Sequence, residues 1–234
     1  MDLEGQGLTT GFRVNNLSIE RFHNQISSLI LSASPDLPCF LSGHGIGGLA
    51  VNSFLGCNPD IANRLAGVMY SSPMFGHFNR QSYLEKLLYS FMAYTANEIV
   101  LLEAIPVHRL SRSKIFQRAL ITQQKTVPLM TASLMASVNR NISRGLRFAQ
   151  NVTYPYLVVT GGRDTMVDNK KTERWHRMTR SEIKELKVMP ECFHELCKEP
   201  NNDEYFEIML KFIDQRLAHP VKFGQVAAAD IRKI

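Results

Sequence analysis

The sequence predicts an α/β architecture: a mostly parallel sheet flanked by helices and interrupted by a helical insertion. Three observations carry this reading. Residues Leu37 to Ala50 run LPCFLSGHGIGGLA, an apolar run, a glycine turn and a helix-like segment. Strand signals then fade between Met74 and Gln150, where the pattern is helical and rich in Met, Leu, Phe and Arg. They return at Tyr154–Thr160, after which strands and helices alternate again, as in parallel sheets covered on both faces.

In chain order, Asp2 to Gly11 is glycine-rich loop chemistry. Asn16 and Ser18 are candidate N-caps of a first helix reaching about Leu31, with Phe22, Ile26, Leu29 and Ile30 at helical spacing. Ser34-Pro35-Asp36 breaks it, and a strand, Pro38–Leu41, leads into the glycine turn. The helix after the turn ends at Gly56-Cys57-Asn58-Pro59. Leu65–Tyr70 reads as a buried strand closed by Ser71-Ser72-Pro73. Within 74–150, Leu84, Leu87, Leu88, Phe91 and Met92 form one apolar helical stripe, and Ile115, Ala119 and Leu120 part of another. No strand is expected there. After Tyr154–Thr160 come a helix over 169–178, an outer strand over 183–189, a loop 190–200 and a final amphipathic helix capped by Asn201 or Asn202. The expected organisation is a core in two parts, 1–73 and 151–218, an insertion at 74–150 and a weakly structured tail, 219–234.

The length of 234 residues suffices for one sizeable domain with an insertion. No run approaches the roughly 18 apolar residues that span a bilayer, and the polar start MDLEGQG is not a signal peptide. The four cysteines have no metal-site spacing, so free thiols in a reducing, cytoplasmic compartment are expected and neither a metal nor a cofactor is. The net charge of +6 is concentrated. Residues 74–150 hold ten Lys and Arg against three acids, a surplus of seven that leaves the remainder near neutral. The plain reading is a solvated basic face. The functional one is peripheral attachment to an anionic membrane surface or lipid headgroup. Nucleic acid fits less well, because aromatics do not alternate with the basic residues.

The turn carries the chemistry. A strand, a tight glycine turn and a helix are the context of the nucleophile elbow Gly-x-Ser-x-Gly. Gly43 and Gly47 match the flanking glycines, but Gly45 stands where the serine would be. Asp164 follows the strand 154–160, and His194 lies in the loop after the next strand. Elbow, acid, histidine is the chain order of serine hydrolases built on such sheets.

On these residues the chain resembles the monoglyceride lipase and lysophospholipase branch of the α/β-hydrolases, the serine aminopeptidase S33-like group. Asp2-x-x-Gly5-x-Gly7 with Thr9 and Thr10 resembles that branch's Asp-x-x-Gly-His-Gly-x-Ser, with Gln6 at the histidine. Gly43-His44-x-Ile46-Gly47-Gly48 resembles its Gly-His-Ser-Met-Gly-Gly, and Tyr70-Ser71-Ser72-Pro73 its strand leading into a cap. Phe193-His194-Glu195-Leu196 resembles its histidine segment. The resemblance implies an α/β-hydrolase fold with 74–150 as the cap over an acyl tunnel. It further implies a lipid or acyl ester as ligand, Asp164 and His194 as acid and base, the Ile46 N–H as oxyanion donor, and substrate contact at His44 and cap residues.

Two departures qualify these implications. Glycine at 45 has no atom that attacks a carbonyl, and Ser42, Cys39 and Ser53 lie at the wrong offset to replace it. The family's first strands, with their oxyanion loop, have no counterpart in the chain, which should leave the elbow strand at an edge. Three readings stay open: an ester-hydrolase relative inactive as written, a non-catalytic lipid-binding or membrane-tethered module, and a fragment or nucleophile variant of an active lipase.

Overall fold

The computed structural model describes residues 19–34, 37–62, 64–77, 82–95, 100–101, 106–122 and 130–219. The candidate caps Asn16 and Ser18, the segment Asp2–Gly11 and the tail beyond 219 lie outside them.

Helix α1 (Arg21–Ser32) precedes β1 (Phe40–His44), which runs directly into α2 (Gly45–Cys57). A short turn, α3 (Pro59–Ala62), leads to β2 (Gly67–Ser71). The insertion holds α4 (Tyr83–Thr95), β3 (Val100–Leu101), α5 (Lys114–Thr122), β4 (Met130–Thr131) and α6 (Ala132–Phe148). The chain closes with β5 (Tyr156–Gly161), α7 (Asn169–Met178), β6 (Lys184–Met189) and α8 (Asn202–Ala218). The main sheet has the order β1-β2-β5-β6, and every pairing is parallel. Among the described strands, β1 and β6 are the edges.

Burial explains the strand composition. Every residue of β2 and β5 is buried, as expected of parallel strands covered on both faces. Alternation divides their side chains between two cores. Val68, Tyr70, Tyr156 and Val158 join Phe22, Phe54, Val138 and Trp175 on one face, while Met69, Leu157 and Val159 join Tyr205 and Phe212 on the other. Helix α2 is buried almost all round, from Gly48 to Leu55, because it lies between the sheet and both α1 and α6.

The structure bears on three expectations. The insertion contains strands after all: β3 and β4 pair antiparallel, Val100 with Thr131 and Leu101 with Met130. Two residues are too short to leave an alternation signal. Next, α6 is part of the core, with Leu134 and Val138 in the main cluster, whereas α4 and α5 bury no residue. The apolar stripe of α4 is exposed, Leu84 at 75% and Phe91 at 65%. Finally, the basic surplus is partly spent on structural ion pairs. Arg140 and Arg144 reach Glu20 at 3.6 and 3.1 Å, and Arg112 reaches the buried Glu199 at 2.7 Å. All three arginines meet acids outside the insertion, so local charge counting overstates its free positive face.

Among the described residues no helix is long and apolar enough to cross a membrane, and no group of His, Cys, Asp and Glu is placed to hold a metal ion. The cysteines there are unpaired thiols.

The main core contains a buried pair of hydroxyls, those of Tyr70 and Tyr154, 2.9 Å apart. Burial pushes both phenols up. Tyr70→Phe should strand the Tyr154 hydroxyl and cost about 1–3 kcal/mol. The double change to Phe should cost less than the single one, which denaturant titration of the three proteins measures. A double variant weaker than Tyr70→Phe would show that the pair is net stabilising.

Candidate active site

The turn at the end of β1 is built from glycine for two separate reasons. At Gly43 a Cβ would stand 2.8 Å from the Gly47 carbonyl oxygen and the Gly48 Cα, so strand and helix can approach only without a side chain. At Gly45 φ is +53°, the left-handed region that is costly for other residues. The Gly45 carbonyl accepts from Met74 N at 3.0 Å, which fixes the turn against the entry to the insertion. Ile46, the expected oxyanion donor, lies in the first turn of α2.

Asp164 sits in the turn after β5 with its side chain fully buried. Its Oδ1 accepts from Met166 N at 2.7 Å and Val167 N at 3.2 Å, and its Oδ2 from His194 Nδ1 at 2.8 Å. With both oxygens engaged, the carboxylate has one orientation. His194, in the loop after β6, is 7% exposed. Its Nδ1 faces the Asp164 carboxylate, which leaves Nε2 turned away from it. That Nε2 lies 3.4 Å from where a Cβ at position 45 would stand, and among the described residues only His194 Cε1, at 3.9 Å, also comes within 4 Å of that point. The structure therefore brings Gly45, Asp164 and His194 together, with no side chain at 45.

Among the described residues no other hydroxyl or thiol takes that place. Ser53 is tied to Asn141 at 2.8 Å and to His23 at 3.2 Å, Cys39 precedes β1, and Ser42 faces outward from it. Ser72 is near but has another task. It is fully buried, and its Oγ donates to the His194 carbonyl at 2.8 Å. Its φ of +41° makes it the only described residue other than glycine in that region. The strain persists where surrounding contacts over-determine it. Here the contacts are this bond and the one from Ser72 N to the Val159 carbonyl, 2.8 Å.

His44 has its own network. Its Nδ1 lies 3.3 Å from Ser71 Oγ and its Nε2 3.2 Å from Glu195 Oε1, while its ring packs beside that of His194, centroids 4.7 Å apart. Both ring nitrogens have protein partners, so the residue assigned to substrate contact serves at least to join the elbow to the His194 loop. Burial pushes the Glu195 carboxyl up. The His44 hydrogen bond, with the charges of His44, His194 and Lys198, outweighs it and leaves the group below its ordinary value. Sequence reasoning missed Ser72, Ser71 and Glu195 as site residues. Glu195 beside the histidine was a visible polar neighbour, but its partner is 151 positions away.

This geometry agrees with the comparisons. The model of the family described as serine aminopeptidase, S33 matches residues 1–201. The chain belongs to that family. Its fold is the α/β-hydrolase fold, a parallel four-stranded sheet flanked by helices among the described residues. As a family member it is similar to phospholipase YtpA of Bacillus subtilis (strain 168), 25% identical over 222 residues, covering 92% of this chain and 83% of that protein. The Paleococcus ferrophilus monoacylglycerol lipase superposes with a TM-score of 0.83 at 22% identity, over 92% of this chain and 82% of that one. A soluble variant of the Saccharomyces cerevisiae monoglyceride lipase, solved with a substrate analog, gives 0.78 at 20% identity, over 92% and 76%.

Two tests follow from the turn and its neighbours. Gly45→Ser should lower the melting temperature. The new Cβ meets only an ordinary contact, so the cost comes from φ, about 1–3 kcal/mol, offset in part by a bond to His194 worth about 1 kcal/mol. An unchanged or raised melting temperature would refute strain in this turn. Glu195→Gln should lower stability by about 1–2 kcal/mol near neutral pH. Because the folded-state carboxyl is depressed, its contribution is complete above the ordinary value of 4.5 and is lost as pH falls through the depressed one. The gap between the two proteins should therefore close in acid, and a gap independent of pH would rule out the charged pairing.

Proposed function

We propose that this chain binds monoacyl lipid esters, of the monoacylglycerol or lysophospholipid class, at the site formed by Gly45, Asp164 and His194, and that it does not form an acyl-enzyme. The family match and the lipase and phospholipase relatives support the ligand class. The observation that carries the second half is the aligned Asp164–His194 pair facing a position with no side chain. In a working serine hydrolase, serine attacks the ester carbonyl, histidine takes its proton and the acid orients the histidine. Here the last two parts are in register and the first is missing. Loss of a triad serine typically lowers turnover by about 10⁶-fold. The Ile46 N–H fits the role of oxyanion donor, and His44 that of a residue supporting the wall beside His194.

The test is a fluorophosphonate probe with a monoacylglycerol and a p-nitrophenyl ester assay. The chain should show neither labelling nor turnover above background. Gly45→Ser should gain labelling, since its Cβ would stand 3.4 Å from the waiting base. Labelling of the unaltered chain would overturn the non-acylating reading and favour a different serine as nucleophile.

A further inference from the structure

We propose that the groove between α8 and the open face of β1 is a docking site for the chain's own C-terminal segment, residues 220–234. Three observations point to it. The first is β1 itself. Every residue of β2 and β5 is buried, but in β1 burial alternates: Leu41 and Gly43 are buried, Ser42 is exposed, and Phe40 and His44 are half-buried. Phe40 and Ile213 of α8 both pack against the core that holds Phe212, so the open face of β1 is the one on the α8 side.

The second is α8. Tyr205, Phe212 and Arg216 mark its buried line. At about 100° per residue, Phe206, Leu210, Ile213 and Leu217 share the flank on one side of that line, and Lys211 and Gln215 lie on the other. Phe206, Leu210 and Leu217 are exposed. The helix runs against the strands, from Tyr205 beside Ser71 to Arg216, whose Nε donates to the Ala66 carbonyl at 3.2 Å. Given the right hand of the crossover from β1 through α2 to β2, that direction turns the apolar flank toward β1.

The third is where the chain goes next. Helix α8 ends at the foot of β1, because Ala66, which accepts from Arg216, donates its own N–H to the Cys39 carbonyl at 2.8 Å. Pro220 follows, and proline does not continue a helix. Beyond it Phe223, Val226, Ala227, Ile231 and Ile234 recur at helical spacing. Residues 221–234 suffice for about 21 Å of helix, and the five residues of β1 span about 17 Å. An antiparallel return through Pro220 brings Val226 level with Ile213. It also brings Arg232 and Lys233 level with the first turns of α8, where Asp203 and Glu207 are exposed. A second copy matches the groove less well. Helix α8 rests on β2 and β5. Two β1 edges paired about a twofold axis would leave the two α8 helices about four strand spacings, or about 19 Å, apart. Packed helices stand about 8–10 Å apart.

Amide hydrogen exchange of the full chain, with light scattering for its mass, tests this. Amides within 222–234 should exchange at least about tenfold more slowly than in the free synthetic peptide 220–234. Leu210→Glu, which charges the flank without touching the buried line, should remove that protection and leave β5 protected. A chain truncated after His219 should bind the peptide saturably, more weakly as salt rises. Exchange in the full chain as fast as in the peptide overturns the proposal. So does protection that survives Leu210→Glu, or protection that appears only in a dimer and is lost on dilution, which would make a second copy the occupant. Should the truncated chain fail to fold, the full chain and its Leu210→Glu variant decide the matter.

Discussion

The hydrogen bond between Asp164 and His194 completes the meeting of two loops that also share the bonds from Gly162 N to the Met189 carbonyl and from Arg163 N to the Cys192 carbonyl. One follows β5, the other follows β6, and the parallel register of the two strands delivers both to the same end of the sheet. The bond is short, 2.8 Å, and lies where solvent does not compete for either partner. Each side is held from behind, Asp164 by two backbone N–H groups and His194 through its carbonyl by Ser72. A pair so supported keeps its geometry whether or not a nucleophile is present. That is why the constellation is recognisable around a glycine: the precision of the site resides in the strand ends and loops, not in the residue that would do the chemistry.

Around this pair the molecule divides its polar work. His44 and Glu195 link the elbow to the histidine loop. Glu199, with its side chain fully buried, accepts from Phe193 N and from Arg112, and so connects the same loop to the insertion. The loop is therefore fastened at three successive points to three different parts of the chain. Preorganisation of this kind makes a base effective, and it equally makes a binding site selective.

Much of the fold was legible because its signals are local. Apolar runs bounded by glycine and proline located β2, β5 and the elbow within a few residues. The order of Gly45, Asp164 and His194 singled out three residues that the structure places side by side. What stayed hidden depends on long-range approach. Ser72 precedes Pro73, a context that favours extended backbone, yet it is drawn to positive φ by a carbonyl 122 residues away. The β3–β4 pairing has too few residues to alternate. The helix α4 stripe was legible but its exposure was not, because periodicity reports segregation of apolar residues, not which side the protein covers.

Helix α1 shows a consequence of such distances for assembly of the chain. The Ile19 amide finds Ser137 across 118 residues, and the Glu20 carboxylate finds Asn141 and Arg144 across 121 and 124. Its polar anchors are thus among the most non-local in the molecule. During synthesis α1 emerges before α6, so these anchors do not exist until α6 has followed. Until then, among the described elements, α2 is the main surface for its apolar face, and topology rather than helix propensity sets when α1 locks into place.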